Sequence, residues 1–247
     1  MFDFLSRLIF PVHAVPAAGP LPPRAERLCV RTADHEMIQG IHIPPDEPDA
    51  TNTLILGFGG NAWNAQDVAE YLHEIYPDHA VVAFHYRGYP PSTGSPAAKM
   101  LIADAPFAYD AAVRATRPGR VVGVGFSIGS GVAAELTASR KLDGLILVTP
   151  FDSLKGVAKS MFPWLPIDAF FDHEIDAAGP LAGAGLPIAI IAADQDEIVP
   201  GERTAALRKV VTRLVYDRTI ERAGHNDIYR RSDFQLAMRE ALDRLKA

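Results

Sequence analysis

The chain has 247 residues, of which 48% are hydrophobic, and it carries a formal net charge of −6. This length and apolar fraction favour one large α/β domain with a substantial core. The charge is mild and lysines and arginines do not cluster, which argues against a nucleic-acid partner and against a strongly anionic substrate. Small neutral or weakly charged substrates fit the composition better.

The single cysteine, Cys29, cannot form a disulfide within the chain. It stands between Leu28 and Val30, and this setting predicts a small apolar strand residue rather than a reactive thiol. We therefore expect a protein of the reducing cytoplasm.

The N-terminal 23 residues differ from the rest of the chain. Residues 1–10 are mostly apolar but too short to span a bilayer, and Asp3 and Arg7 interrupt the pattern of a secretory signal. We expect them to form a short helix that docks on the domain; peripheral contact of residues 1–10 with a membrane surface is the alternative. Residues 11–23 contain five prolines and three alanines, which predicts an extended connector.

Residues 24–247 carry the pattern of one domain, with an insertion at residues 152–185. Two strands around a turn at residues 32–35 predict an antiparallel pair, after which strands and helices alternate. The expected strands are Arg27–Thr32, Met37–Ile43, Thr53–Phe58, Ala80–Tyr86, Arg120–Gly125, Gly144–Thr149, Pro187–Ala193 and Arg213–Thr219. The expected helices are Ala65–Ile75, Ala97–Ala115, Ser127–Ser139, Gly201–Val211 and Ser232–Leu245.

Strands that are nearly continuous in Val, Ile and Leu, separated by helices, are typical of a parallel sheet that is covered on both faces. The predicted fold class is therefore α/β. We expect a mostly parallel central sheet of about eight strands, helices on both faces and a small helical insertion.

The pentapeptide Gly125-Phe126-Ser127-Ile128-Gly129 lies between an expected strand and an expected helix. A G-x-S-x-G sequence in this setting predicts a nucleophile elbow, a strained turn that exposes the serine Oγ at the helix N-terminus. The glycines are needed because strand and helix can approach each other only where side chains are absent. Ser127 is therefore the candidate nucleophile, and a glycine-rich turn with an ordinary N-capping serine is the alternative.

Ligands of such sheets bind beyond the carboxyl ends of the strands, so polar residues in those loops are candidates for the site. The glycine-rich loop at residues 57–62 could turn backbone N–H groups toward an oxyanion. A serine nucleophile needs a base, which is usually an imidazole oriented by a carboxylate. His225 follows the last expected strand, and Asp194 and Asp196 follow the strand before it. The other histidines are expected to be structural or solvated, and no spacing suggests a metal site.

Five segments together resemble the α/β-hydrolase superfamily, in particular its small serine aminopeptidase-like members, which include bud-emergence-type proteins and depalmitoylases with an α/β-hydrolase domain. The order serine, acid, histidine along the chain also agrees with this superfamily. The segments are Gly59-Gly60-Asn61-Ala62-Trp63-Asn64, Tyr86-Arg87-Gly88-Tyr89 with residues 92–96, residues 125–129, residues 149–154, and residues 196–200 with 224–227.

The resemblance implies an α/β-hydrolase fold with a catalytic triad of Ser127, Asp196 and His225. Asp194, two positions before Asp196, is the alternative acid, because both side chains would point the same way if the strand continued. The implied oxyanion hole consists of the backbone N–H groups of Asn61 and Ile128. Gly59 stands where the family usually has a histidine that supports this loop, which puts the rigidity of the loop in question.

The insertion contains Phe162 and Trp164 on the segment that caps the active site in relatives, and we expect both to line an acyl pocket. The implied function is a serine hydrolase that cleaves carboxylic esters or thioesters of a small-molecule acyl substrate, without a cofactor. One alternative is a peptidase that releases N-terminal residues, which would need carboxylates such as Asp168, Asp172 and Glu174 to bind the substrate ammonium. The other is a non-catalytic binding protein with the same fold.

Overall fold

The computed structural model describes residues 9–47 and 51–246. The expected helix at the N-terminus therefore falls mainly on residues 1–8, outside the described part of the chain.

The described residues form one mixed sheet of eight strands in the order β1-β2-β4-β3-β5-β6-β7-β8. β1 and β2 pair antiparallel, β2 pairs antiparallel with β4, and the remaining strands are parallel. The strands are β1 Glu26–Arg31, β2 Met37–Ile43, β3 Thr53–Phe58, β4 Ala80–Phe84, β5 Arg120–Phe126, β6 Gly144–Val148, β7 Ile188–Ala193 and β8 Leu214–Ile220. The prediction of a mostly parallel sheet with an antiparallel start is confirmed.

Helices connect the parallel strands and cover both faces of the sheet. They are α1 Ala65–Ile75, α2 Ala98–Thr116, α3 Ile128–Leu136, α4 Leu154–Met161, α5 Ile167–Phe170, α6 Ala178–Leu181, α7 Gly201–Val210 and α8 Ser232–Lys246. The short helices α4, α5 and α6 lie within the segment predicted as a helical insertion.

Two hydrophobic clusters form the core, one on each face of the sheet. Along β3, Leu54 and Leu56 belong to the first cluster and Ile55 belongs to the second, because successive side chains of a strand point to opposite faces. The first cluster includes side chains of α2, α3 and α7, and the second includes side chains of α1 and α8. A sheet that is buried on both faces holds the carboxyl ends of β3, β5, β7 and β8 in fixed positions, and the candidate residues follow these ends.

Two expectations need correction. Cys29 lies in a strand as predicted, but its side chain is exposed. The reason is that β1 is the edge strand of the sheet, so that alternate residues of β1 face solvent. The helix predicted from Ser127 begins instead at Ile128, because Ser127 itself has a positive φ of 52°.

Candidate active site

Ser127 lies on the tight turn between β5 and α3, with φ 52° and ψ −119°. L-amino acids rarely adopt this region, so the surrounding structure must hold the turn. A Cβ atom on Gly125 would lie 2.5 Å from the Gly129 carbonyl oxygen, and one on Gly129 would lie 2.2 Å from the Phe58 oxygen. Both glycines are thus required by close backbone packing, as the pentapeptide predicts for a nucleophile elbow.

The structure brings Ser127, His225 and Asp196 together, although they come from three different loops. His225 Nε2 lies 2.9 Å from Ser127 Oγ, and Nδ1 lies 2.9 Å from both carboxylate oxygens of Asp196. A carboxylate can only accept, so the Nδ1 proton points to Asp196 and leaves Nε2 as the acceptor for the serine hydroxyl. The side chains of His225 and Asp196 are each only 5% exposed.

The structure distinguishes the two candidate acids. β7 ends at Ala193, after which the chain turns, and Asp196 Oδ1 accepts hydrogen bonds from the backbone N–H groups of Ile198 and Val199 at 3.0 and 2.7 Å. Asp194 is exposed, and its carboxylate faces the backbone N–H of Arg222 at 3.4 Å. His225 therefore pairs with Asp196 and not with Asp194.

Two further carboxylates organise the histidine loop. Asp227 Oδ1 accepts from the Gly224 N–H at 2.6 Å, and Glu197 Oε2 accepts from the His225 N–H at 2.9 Å. The role of Glu197 is absent from the sequence analysis; its position directly after Asp196 was the available signal.

The loop after β3 lies opposite the elbow and presents the candidate oxyanion donors. In the described part of the chain, neither the Asn61 N–H nor the Ile128 N–H donates to a protein acceptor. Tyr86 Oη donates to the Gly59 carbonyl at 2.8 Å and Tyr89 Oη donates to the Asn61 carbonyl at 2.7 Å. These two tyrosines hold the loop that has Gly59 in place of the family histidine.

An apolar cavity of about 240 Å³ opens beside Ser127. It is bounded by the elbow, by the insertion and by the N-terminal segment. Its lining residues are Ile9, Asn61, Ser127, Ile128, Phe151, Leu154, Val157, Ala158, Met161, Phe162, Phe171, Ile198 and Val199. We call it the apolar pocket.

A second cavity of about 410 Å³ meets Ser127 from the side of the histidine. We call it the polar pocket. Its lining residues are Gly60, Asn61, Ala62, Trp63, Ser127, Ile198, His225, Asn226, Tyr229 and Arg230. Ser127 thus lies where the two cavities meet.

Of the two aromatic residues predicted to bind substrate, only Phe162 lines the apolar pocket. Trp164 is 75% exposed and lies edge-on to Phe162, with ring centroids 6.3 Å apart. The structure therefore does not place Trp164 in the wall of the apolar pocket: it lies beyond the end of α4 at Met161, with most of its surface in solvent.

Residues 9–20, the N-terminal strap, run along the loop that carries the candidate oxyanion donor and along the start of α1. Three amide side chains hold the strap: Asn61 donates to Ile9 O at 3.1 Å, Asn64 to Pro16 O at 3.4 Å and Gln66 to Pro20 O at 2.9 Å. Phe10 is 3% exposed and belongs to the core. Docking of the N-terminal segment is thus observed from Ile9 onward, and the contribution of Ile9 to the pocket is one that the sequence analysis missed.

No group of histidine, cysteine or carboxylate side chains within residues 9–47 and 51–246 could hold a metal ion. Among the same residues, no helix combines the length and apolarity that crossing a membrane requires.

Comparison with known proteins places this geometry in a family. A family model described as alpha/beta hydrolase fold matches residues 54–183. An uncharacterised protein of Mycobacterium tuberculosis is 30% identical over 226 residues, covering 86% of this chain and 78% of that protein. The lysophosphatidylserine lipase ABHD12 of Danio rerio is 32% identical over 174 residues, covering 61% of this chain and 45% of that lipase.

A solved structure has the same fold. The Pyrococcus furiosus esterase PF2001 superposes with a TM-score of 0.73 at 17% identity, covering 94% of this chain and 97% of that one. This likeness shows the fold, and the family model, which matches more than half of the chain, shows that the chain belongs to the α/β-hydrolase family.

Proposed function

We propose that this protein hydrolyses carboxylic esters or thioesters through an acyl-enzyme on Ser127. The observation that carries the proposal is the 2.9 Å contact between Ser127 Oγ and His225 Nε2 at the mouth of an apolar cavity. A serine hydroxyl within reach of an oriented imidazole is the arrangement that nucleophilic acyl transfer requires.

In the proposed reaction, His225 Nε2 takes the hydroxyl proton as Ser127 Oγ attacks the acyl carbon. Asp196 holds the imidazole by its Nδ1 proton and stabilises the imidazolium that forms. The N–H groups of Asn61 and Ile128 receive the negative charge that develops on the carbonyl oxygen. His225 then protonates the leaving oxygen or sulfur, and a water molecule, activated by the same imidazole, releases the acid from Ser127.

The apolar pocket suits the acyl chain, because none of its lining residues carries a charge. Its volume of about 240 Å³ favours short or medium chains. A relative named a lipase and a structural neighbour named an esterase are consistent with this assignment.

The peptidase alternative has less support. Among the residues that line the two pockets, none is an aspartate or a glutamate that could bind a substrate ammonium. In the insertion, Asp168 pairs with Lys155 and Lys159, and Glu174 accepts from the Ser153 hydroxyl.

Labelling with a fluorophosphonate, followed by a chain-length series of 4-nitrophenyl esters, tests the proposal. The wild-type protein should be labelled and should hydrolyse the esters, whereas Ser127→Ala should do neither and remain folded. Ser139→Ala is the matched control, because Ser139 is exposed and lies three residues beyond the C-terminal end of α3. Labelling that persists in Ser127→Ala would show that another serine is the nucleophile.

A further inference from the structure

His225 lines one of the two cavities at Ser127 and does not line the other. Both are lined by Ser127 and Asn61, but only the polar pocket is lined by His225. In the proposed reaction the imidazolium gives its proton to the leaving atom, so the leaving group must lie on the side of His225. The polar pocket is therefore the leaving-group side, and the apolar pocket is the acyl side.

The polar pocket contains one cationic side chain. Arg230 lines it, and Arg230 is the only lysine or arginine among the residues that line either cavity. Its side chain is exposed, and no acceptor in the described part of the chain takes its guanidinium protons. Neighbouring Arg231 differs, since it donates to Asp233 at 3.2 Å.

The nearby carboxylates are engaged elsewhere. Asp227 and Glu197 accept from the backbone N–H groups of Gly224 and His225, and neither lines the polar pocket. Arg230 ends the 3₁₀ turn Ile228–Arg230, which begins three residues after His225. The backbone of Arg230 is thus held by the same loop that carries the base, with its guanidinium available to a ligand.

We propose that the polar pocket binds an anionic leaving group, and that Arg230 is the residue that selects it. This inference rests on the proposed ester or thioester hydrolysis. The alcohol or thiol that the reaction releases would carry a carboxylate or a phosphate group. A single arginine provides a local partner for such a group even though the whole chain has a formal charge of −6.

A matched pair of chromogenic esters tests the proposal. 2-Nitrophenyl butyrate has a neutral leaving portion, and 3-butyryloxy-4-nitrobenzoate releases the same phenol with a carboxylate added. The measured quantity is the ratio of kcat/KM for the anionic ester to that for the neutral ester. Arg230→Gln should lower this ratio about tenfold, as expected for a hydrogen bond between charged groups.

Further variants exclude a purely structural effect. Arg230→Lys should keep most of the ratio, Arg230→Glu should lower it below that of Arg230→Gln, and Arg231→Gln should leave it as in the wild-type protein. Raising the salt from about 0.02 M to about 0.5 M should lower the wild-type ratio and not that of Arg230→Gln, because exposed charges are screened. Thermal unfolding checks that each variant is folded.

A second pair distinguishes the two anions: 1-octanoylglycerol and 1-octanoylglycerol 3-phosphate, with release of octanoate as the readout. Dependence on Arg230 in either pair supports the proposal and identifies the anion. If the wild-type protein hydrolyses the neutral esters but Arg230→Glu changes the ratio in neither pair, the inference is overturned and the proposed function stands. If the wild-type protein hydrolyses none of the four esters and is not labelled by a fluorophosphonate, the proposed function fails and the inference falls with it.

Discussion

The side-chain amide of Asn61 donates a hydrogen bond of 3.1 Å to the carbonyl oxygen of Ile9. This contact joins the first described residue of the N-terminal strap to the loop that carries a candidate oxyanion donor. Ile9 lines the apolar pocket, so the strap contributes to the wall of the cavity as well as to the docking of the N-terminus.

Ile9→Ala is expected to enlarge the apolar pocket and to move the optimum of the 4-nitrophenyl ester series to longer acyl chains. The reason is that each additional buried methylene is worth about 0.8 kcal/mol until the cavity is full. Val12→Ala is the matched control, because Val12 packs on the core from the same strap without lining the cavity. An equal shift in both variants would mean that the strap acts only through stability.

Phe162→Ala should shift the same optimum to longer chains, whereas Trp164→Ala should leave it unchanged. Phe162 lines the apolar pocket and Trp164 lies outside it with 75% of its surface exposed. The measurement is the chain length at which kcat/KM for the 4-nitrophenyl esters is highest in each variant. If the optimum shifted in Trp164→Ala alone, the acyl chain would contact the outer face of the insertion and not the apolar pocket.

Asp196→Asn should lower kcat by about 10⁴, the effect of the corresponding change in a serine protease, because an amide favours the wrong imidazole tautomer. Asp194→Asn is the control two residues away and should have a small effect, since Asp194 is exposed and does not contact His225. Steady-state kinetics with one ester suffices. A larger loss in Asp194→Asn would reverse the assignment of the acid.

Gly129→Ala should destabilise the fold by about 3 kcal/mol or more, because a Cβ there would overlap the Phe58 carbonyl oxygen at 2.2 Å. Gly183→Ala is the control, since a Cβ at Gly183 meets no atom within 4 Å. Chemical denaturation measures the free energy of unfolding of both variants. Equal stability of the two variants would contradict the packing argument for the elbow.

His85 should make stability depend on pH. Burial lowers the pKa of His85 from 6.5 to about 4, so the unfolded chain binds more protons than the folded chain between these values. The free energy of unfolding therefore contains the full contribution of His85 above about pH 6.5. This contribution is lost as the pH falls, by about 2.5 kcal/mol between pH 7 and pH 4.5.

His85→Gln should flatten this dependence, because glutamine does not titrate. His13→Gln, at an exposed position, should leave it as in the wild-type protein. Denaturation at the two pH values measures the difference, and parallel curves for His85→Gln and wild type would show that His85 is not the group responsible.

The sequence by itself determined the α/β class, the positions of the eight described strands and of the helices outside the insertion, and the elbow at Ser127. These follow from local rules: buried parallel strands need apolar runs, and a strained strand-to-helix turn needs glycines two residues to each side. The loops that carry His225 and its acid were also predictable, since ligands of such sheets meet the carboxyl ends of strands.

The sequence favoured Asp196 only through its resemblance to a family, and the tertiary structure decided which acid faces the histidine and which side chains line the cavities. Asp194 and Asp196 are equivalent by alternation along a strand, and the turn after Ala193 separates them. Trp164 and Ile9 are both apolar in sequence, yet one points to solvent and the other lines the apolar pocket. These outcomes depend on contacts between segments far apart in the chain, such as the hydrogen bond from Asn61 to Ile9, and no local pattern of residues encodes them.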